Sequence, residues 1–116
     1  MPFETLEHED FLELRFFGPL DERGWASRSG MMSGEQRDKR FLINFTDATE
    51  IDVPSHQFVR SAERARGRDW RIAILAPQPA FFGLARQTVQ MSGMGEGETV
   101  NVFRDRGQAV TWLTAA

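Results

Sequence analysis

Two short, almost uninterrupted apolar runs constrain the fold of this chain most: RFLINF at residues 40–45 and WRIAILA at residues 70–76. Runs of this length and composition are typical of strands buried on both faces, because a strand with one solvated face alternates apolar and polar residues. The prolines at positions 77 and 79 end the second run, since proline cannot extend a ladder of backbone hydrogen bonds. Strands buried on both faces need helices to cover them, so the two runs predict an α/β protein.

The segments around these runs have helical spacing of their apolar residues. One helix is predicted from Pro54 to Gly67, because proline is tolerated in a first turn and glycine often ends a helix. A second is predicted from Ala80 to Met91. Asp21 is expected to cap an earlier helix that reaches about Met32, and Asp105 to cap a final one.

The chain opens with two strand-like stretches, PFETLE and FLELRFF, whose polar connection predicts an antiparallel hairpin. Gly18-Pro19 is expected to end the second strand, and TVNVF at 99–103 is the last predicted strand. The predicted order is therefore ββαβαβαβα. Since strands alternate with helices after the hairpin, we expect a mixed, mostly parallel sheet covered by helices.

Composition limits the domain count and the classes of partner. The 116 residues suit one domain, residues 1–116, with a single apolar core. The net charge is -3, and the arginines between 60 and 71 are interleaved with acidic residues, so nucleic acid is not an expected partner. The N-terminus lacks the pattern of a secretory signal, and no apolar run approaches the roughly 18 residues of a membrane span. We expect a cytoplasmic protein without a transmembrane segment.

No cluster of residues predicts catalysis or metal binding. The chain has no cysteine, which excludes thiolate ligands and a cysteine nucleophile. Ser55 and His56 are neighbours on the predicted helix, so they cannot face each other as nucleophile and base. Asp52 or Ser55 is instead expected to cap the helix, with His56 at the surface. The histidines, His8 and His56, have no ligand spacing, so we predict no metal, no cofactor and no catalytic residue.

Three stretches, in this order along the chain, resemble motifs of one family. They are Gly18-Pro19-Leu20-Asp21, the segment from Leu42 to Asp52, and Met91-Ser92-Gly93. Together they resemble the STAS domain, the fold of the anti-sigma factor antagonists, and the SpoIIAA-like (STAS/SEC14-like) group. The resemblance implies a regulatory or protein-interaction module rather than an enzyme.

The sequence departs from the family where phosphate is accepted. In the phospho-regulated members the aspartate that matches Asp52 is followed by Ser-Ser-Gly, whereas Val53 stands here at the acceptor position. We expect no phosphorylation there. Phosphate at Thr46, Thr49 or Ser55 is disfavoured by nearby carboxylates. Partner binding is expected on the turn between the strand and the helix, at Asp47, Thr49, Asp52, Val53, Pro54, Ser55 and His56.

A second predicted surface is apolar. Phe81 and Phe82 are consecutive, so one ring could be partly exposed and form an apolar surface or ligand site together with Trp25, Met31 and Met32. Burial of both rings is the alternative. The surface motivates a second hypothesis, a small carrier or sensor of an apolar, lipid-like ligand, which needs an internal cavity of roughly 300 Å³ or more. A homodimer through the exposed edge of the hairpin is also expected.

Overall fold

A computed structural model describes residues 3–27, 39–91 and 99–115, and it confirms the predicted order of elements. The predicted residues Met31 and Met32, and the end of the first predicted helix, lie outside the described residues. The elements are β1 (Phe3–Glu7), β2 (Leu12–Asp21), α1 (Glu22–Ser27), β3 (Arg40–Asp52), α2 (Ser55–Gly67), β4 (Arg71–Leu75), α3 (Pro79–Met91), β5 (Val100–Phe103) and α4 (Arg106–Thr114).

The five strands form one sheet whose spatial order is β1-β2-β3-β4-β5, the order along the chain. β1 pairs antiparallel with β2, and all other neighbours are parallel. Side chains of α1, α2 and α3 pack with one set of buried strand residues, and those of α4 pack with another. The mixed, mostly parallel sheet covered by helices is therefore confirmed.

The two faces of the sheet alternate along β3, the central strand. Phe41, Ile43 and Phe45 belong to the core under α1, α2 and α3, whereas Leu42 belongs to the smaller core under α4. All four are almost completely buried. This alternation explains why the run RFLINF is apolar at nearly every position: both faces of the strand are covered.

β2 does not end at Gly18-Pro19 as predicted, and continues to Asp21. Its pairing with β1 reaches Phe16, and beyond that residue no other described strand pairs with this side of β2. Proline is tolerated on such a free side because no ladder hydrogen bond is lost. Gly18 has a φ of 72°, a left-handed conformation that glycine adopts readily, and the register with β3 shifts on either side of it. The Gly-Pro pair is therefore an irregularity within a strand.

The acidic segment after Phe45 is not a turn, and this prediction is wrong. β3 runs to Asp52, and among the described strands its second half pairs only with the end of β2, since pairing with β4 ends at Asn44. On the side that β4 leaves open, the side-chain amide of Gln78 donates to the carbonyl oxygens of Phe45 and Thr46, both at 3.0 Å. One side chain thus replaces part of a missing strand.

The helix caps agree with two of the three predictions. The backbone N–H of Gly24 donates to the Asp21 carboxylate at 2.7 Å, and that of Gln108 donates to Asp105 at 2.9 Å, which confirms both caps. At the start of α2 the cap position is held by Pro54, without a side-chain hydrogen bond, so the predicted cap by Asp52 or Ser55 is wrong. Among the described residues, no helix combines the length and apolar character needed to cross a bilayer.

The consecutive residues Phe16 and Phe17 give a direct test of the two environments on β2. Phe16 is fully buried and its ring lies 5.1 Å from that of Phe3, whereas Phe17 is 43% exposed. Phe16→Ala should lower the free energy of unfolding by about 3–5 kcal/mol, because it leaves a cavity in the core, and Phe17→Ala should change it by less than about 1 kcal/mol. Urea unfolding followed by tryptophan fluorescence measures both. Equal losses in the two variants would contradict the assigned strand register.

Candidate functional site

The predicted partner-binding residues lie on the second half of β3 and on the first turn of α2. Thr49, Glu50, Asp52, Pro54 and His56 are exposed there, and we call these five residues the β3–α2 surface. The surface combines the end of a strand with the start of a helix, and the two carboxylates make it acidic. Most of the residues predicted for this site are therefore brought together.

Asp47, one of the predicted residues, has a partner within the chain. Its carboxylate accepts a hydrogen bond from Nε of Arg15 at 2.7 Å, and Arg15 also contacts Glu4 at 3.3 Å. The carboxylate of Asp47 raises the pKa of the Arg15 guanidinium above its ordinary value. Asp47 thus joins β3 to β2 across the surface of the sheet, where an exposed ion pair contributes little to stability.

Val53 was predicted to contact a partner, and its position corrects that prediction. Its side chain is 8% exposed and packs in the core under α1, α2 and α3. Ser55, the next hydroxyl, is half-buried. His56 is exposed as predicted, and its Nε2 lies 3.4 Å from the side-chain nitrogen of Gln57. Val53 is thus an apolar side chain of the core rather than a residue of the surface.

The predicted apolar surface is wrong for Trp25. This residue is buried, its ring lies 4.7 Å from that of Phe58, and its indole N–H donates to the Ser61 hydroxyl at 3.1 Å. Phe81 and Phe82 are half-buried and pack against the same core, so neither forms an exposed patch. Within the described residues, the exposed large apolar side chains are Phe17 and Met91.

Trp25 and Phe81 do line a cavity, as the ligand hypothesis would require. It lies between α2, α3 and the sheet, has a volume of about 70 Å³, and is mostly apolar. This volume is well below the roughly 300 Å³ expected of a site for a drug-sized or larger ligand.

A buried carboxylate on the other face of the sheet was not predicted. Glu13 is 3% exposed, and two guanidinium nitrogens of Arg106 donate to its two oxygens at 2.7 and 3.0 Å. The side-chain amide of Asn44 donates to it at 2.8 Å, and Nε2 of His8 lies at the same distance. Four elements of the chain therefore meet at one carboxylate: the β1–β2 turn, β2, β3 and the first residue of α4.

Burial alone would raise the pKa of Glu13, because a charged group loses its hydration. The hydrogen bonds from Arg106, Asn44 and His8, with the positive charge of Arg106, outweigh that effect and lower the pKa to about 2. The carboxylate in turn raises the pKa of Arg106. A group that is ionised at every physiological pH and fully hydrogen-bonded is suited to holding elements together rather than to transferring protons.

The signal for this site was present in the sequence. In FLELRFF, Glu13 is the one acidic residue, and it lies between two leucines that are buried. The alternation of a strand places it on the face opposite Leu12 and Leu14, where α4 packs. The partner, Arg106, is 93 residues away, and no local spacing identifies it. Across residues 3–27, 39–91 and 99–115, no group of three or more histidine or acidic side chains is arranged to hold a metal ion.

Comparison with solved structures supports the resemblance in fold. The chain is similar to an uncharacterised protein with a SpoIIAA-like fold, of the DUF3478 family, from Shewanella loihica PV-4: the TM-score is 0.62 and the identity 14%, over 96% of this chain and 91% of the other. It is also similar to the anti-sigma factor antagonist SpoIIAA in its unphosphorylated form, with a TM-score of 0.63 and 17% identity over 93% of each chain. No protein-family model and no curated protein sequence matches the chain. The chain therefore has a SpoIIAA-like, STAS-type fold.

The lowered pKa of Glu13 predicts an acid dependence of stability. Because the pKa is lower in the folded than in the unfolded chain, the carboxylate stabilises the fold above about pH 4.5, and this contribution is lost as the pH falls toward 2. The contribution at pH 7 is about 3 kcal/mol, because folding lowers the pKa of Glu13 from 4.5 to about 2. Glu13→Gln should therefore lower the free energy of unfolding at pH 7, and the difference from wild type should shrink by about half at pH 3.

Urea unfolding of wild type and Glu13→Gln at pH 7 and pH 3 checks this expectation. Glu4→Gln is the matched control, since it removes an exposed carboxylate that contacts Arg15 and should cost less than about 1 kcal/mol at either pH. A Glu13→Gln variant with the same pH dependence as wild type would refute the role given to the buried carboxylate.

Proposed function

We propose that this chain is a non-enzymatic, STAS-like regulatory or protein-interaction module whose binding surface is not switched by phosphorylation at the family's acceptor position. The observation that carries the proposal is the burial of Val53. A side chain with no hydroxyl, 8% exposed and packed in the core, fills the position where the resemblance implies a phosphoacceptor serine. The first turn of α2 is then held in one arrangement by core packing.

The electrostatics of this turn support the same conclusion. A helix N-terminus attracts anions through its dipole and unpaired N–H groups, but Pro54 contributes no N–H there. Glu50 and Asp52 are exposed on the adjoining end of β3, so a phosphate on Thr49 or Ser55 would lie among like charges. The same two carboxylates favour a protein partner that presents basic side chains.

Two features make the β3–α2 surface suited to binding. Its strand half is held by pairing with β2 and by Gln78, so it changes little on binding and little conformational entropy is lost. Its exposed residues are polar or small, which suits a transient complex better than a permanent assembly. The alternative hypothesis, a carrier of a lipid-like ligand, is less favoured because the cavity of about 70 Å³ is too small for such a ligand.

The partner surface is tested by affinity purification from the native host. Wild type should retain a protein partner that a Glu50→Lys/Asp52→Lys variant loses, because the substitutions reverse the charge of the surface. Glu63→Lys, on the exposed side of α2, is the matched control and should retain the partner. Mass spectrometry identifies proteins and extracted lipid in the same samples. Lipid at about one molecule per chain without a protein partner, or equal retention by all three baits, would overturn the proposal.

Self-association is checked on the purified bait. We propose a homodimer through the outer edge of β1, which among the described strands pairs only with β2. Light scattering at high micromolar concentration should give twice the mass of one chain. A monomer mass under these conditions removes the homodimer from the proposal and leaves a different protein as the partner.

Phosphorylation is tested with a restored acceptor. Wild type incubated with an anti-sigma-type serine kinase should carry no phosphate. Val53→Ser should be phosphorylated only partly, because position 53 is buried and the kinase can reach the serine only when this segment opens locally. Mass spectrometry of the variant and of protein from its own host gives the stoichiometry at each residue. Stoichiometric phosphate on wild-type Thr46, Thr49 or Ser55 would contradict the proposed unswitched surface.

A further inference from the structure

The cavity between α2, α3 and the sheet is called here the α2–α3 cavity. None of the residues that line it belongs to the β3–α2 surface. Its volume is about 70 Å³, several times the roughly 10–15 Å³ that one water molecule requires. It is partly open to solvent, and its walls are apolar side chains from α2, α3 and the sheet, among them Ile43, Phe58, Ile72, Leu84 and Val100.

Two hydroxyl groups in the cavity wall already donate hydrogen bonds to backbone carbonyl oxygens of their own helices. The Ser61 hydroxyl donates to the carbonyl of Gln57 at 2.8 Å, and the Thr88 hydroxyl donates to that of Leu84 at 2.9 Å. Such bonds along a helix satisfy the hydroxyl donors locally. Neither hydroxyl therefore has a proton left to offer a molecule in the cavity.

The indole N–H of Trp70 is a donor without an acceptor. Trp70 lines the cavity and is 5% exposed, and its Nε1 has no hydrogen-bond partner in the described part of the chain. A buried donor left without an acceptor destabilises the protein by the cost of its lost hydration. The nitrogen has almost no accessible surface, so a molecule in the cavity would contact the indole ring rather than this N–H.

Two arginines from the end of α2 make the cavity positively charged. Arg64 and Arg68 both line it, and the guanidinium of Arg68 lies 5.1 Å from the centre of the Trp70 ring. Within residues 3–27, 39–91 and 99–115, neither arginine forms an ion pair with a carboxylate. The cavity wall thus offers two cationic donors, Arg64 and Arg68.

We propose that the α2–α3 cavity is a binding site for a small monocarboxylate with a short apolar tail. The tail occupies the apolar space between α2, α3 and the sheet. The carboxylate stays near the opening, where Arg64 and Arg68 donate to it. A planar carboxylate suits this set because guanidinium groups bind it with paired hydrogen bonds.

The site is independent of the β3–α2 surface. α2 begins beside that surface at Ser55, and Arg64 and Arg68 lie at its opposite end, in the last turn and directly after it. A failure to detect ligand binding would therefore not count against the proposed partner surface, and a failure to find a protein partner would not count against the cavity site.

Hexanoate is the probe, with the uncharged 1-hexanol as its counterpart. The chain has three tryptophans, so a ¹⁵N-labelled sample gives three indole N–H signals, and Trp70→Phe assigns the relevant one. Titration with hexanoate should shift the Trp70 signal saturably and leave that of Trp112, which packs with the core on the other face of the sheet, in place. 1-Hexanol should bind at least about tenfold more weakly, because charge-assisted hydrogen bonds are lost.

Three variants decide between this site and non-specific binding. Arg64→Gln/Arg68→Gln should weaken hexanoate binding by about tenfold or more, whereas Arg66→Gln, exposed on the same helix and outside the cavity wall, should leave it within about twofold. Ala85→Leu adds methyl groups inside the cavity and should abolish the shift, while thermal unfolding shows that the fold is retained. Absence of a saturable Trp70 shift in wild type, equal binding of 1-hexanol, or wild-type affinity in either cavity variant would overturn the proposal.

Discussion

The burial of both faces of β3 is the constraint on which the rest of the fold depends. Its alternating side chains fill one core under α1, α2 and α3 and a second under α4. A strand of this kind cannot be stable at the edge of a sheet, because its apolar faces would be exposed, so β2 and β4 must flank it and helices must cover it. The hairpin at the N-terminus extends the sheet on one side, and β5 extends it on the other.

β3 continues beyond the end of its pairing with β4, and this extension forms the candidate surface. From Phe45 onward the strand keeps β2 as a neighbour and loses β4. The side chain of Gln78 supplies donors to the exposed carbonyl groups, so the extension remains ordered while its outer residues face water. The polar end of an otherwise apolar strand is thus exposed at no cost to the core.

The sequence predicted those features that depend on neighbouring residues. The apolar runs and the helical spacing identified every element and their order, and Asp21 and Asp105 identified two caps. The predictions failed where pairing between distant segments decides the outcome. Pro19 looks like the end of a strand until one knows that the described pairing of β2 with β1 reaches only Phe16.

The candidate site shows the same division between local and distant information. Exposure of Thr49, Asp52 and His56 followed from their polarity, whereas the inward position of Val53 depends on how α2 packs against the sheet. A single carboxylate between buried leucines marks Glu13 as unusual, but its partner cannot be found from the sequence because Arg106 lies 93 residues further along the chain. The cavity, lined by residues from six elements, has no linear pattern at all.

The distance in sequence between Glu13 and Arg106 has a consequence for folding during synthesis on the ribosome. Because the strands are adjacent in space in the order of synthesis, each new strand can join the growing sheet as it emerges. The carboxylate of Glu13 emerges early, but its charged partner begins the last helix and is made 93 residues later. During that interval Glu13 has to remain hydrated, so the face of the sheet that α4 covers stays open to water. Closure of the second core therefore has to wait until α4 has been synthesised.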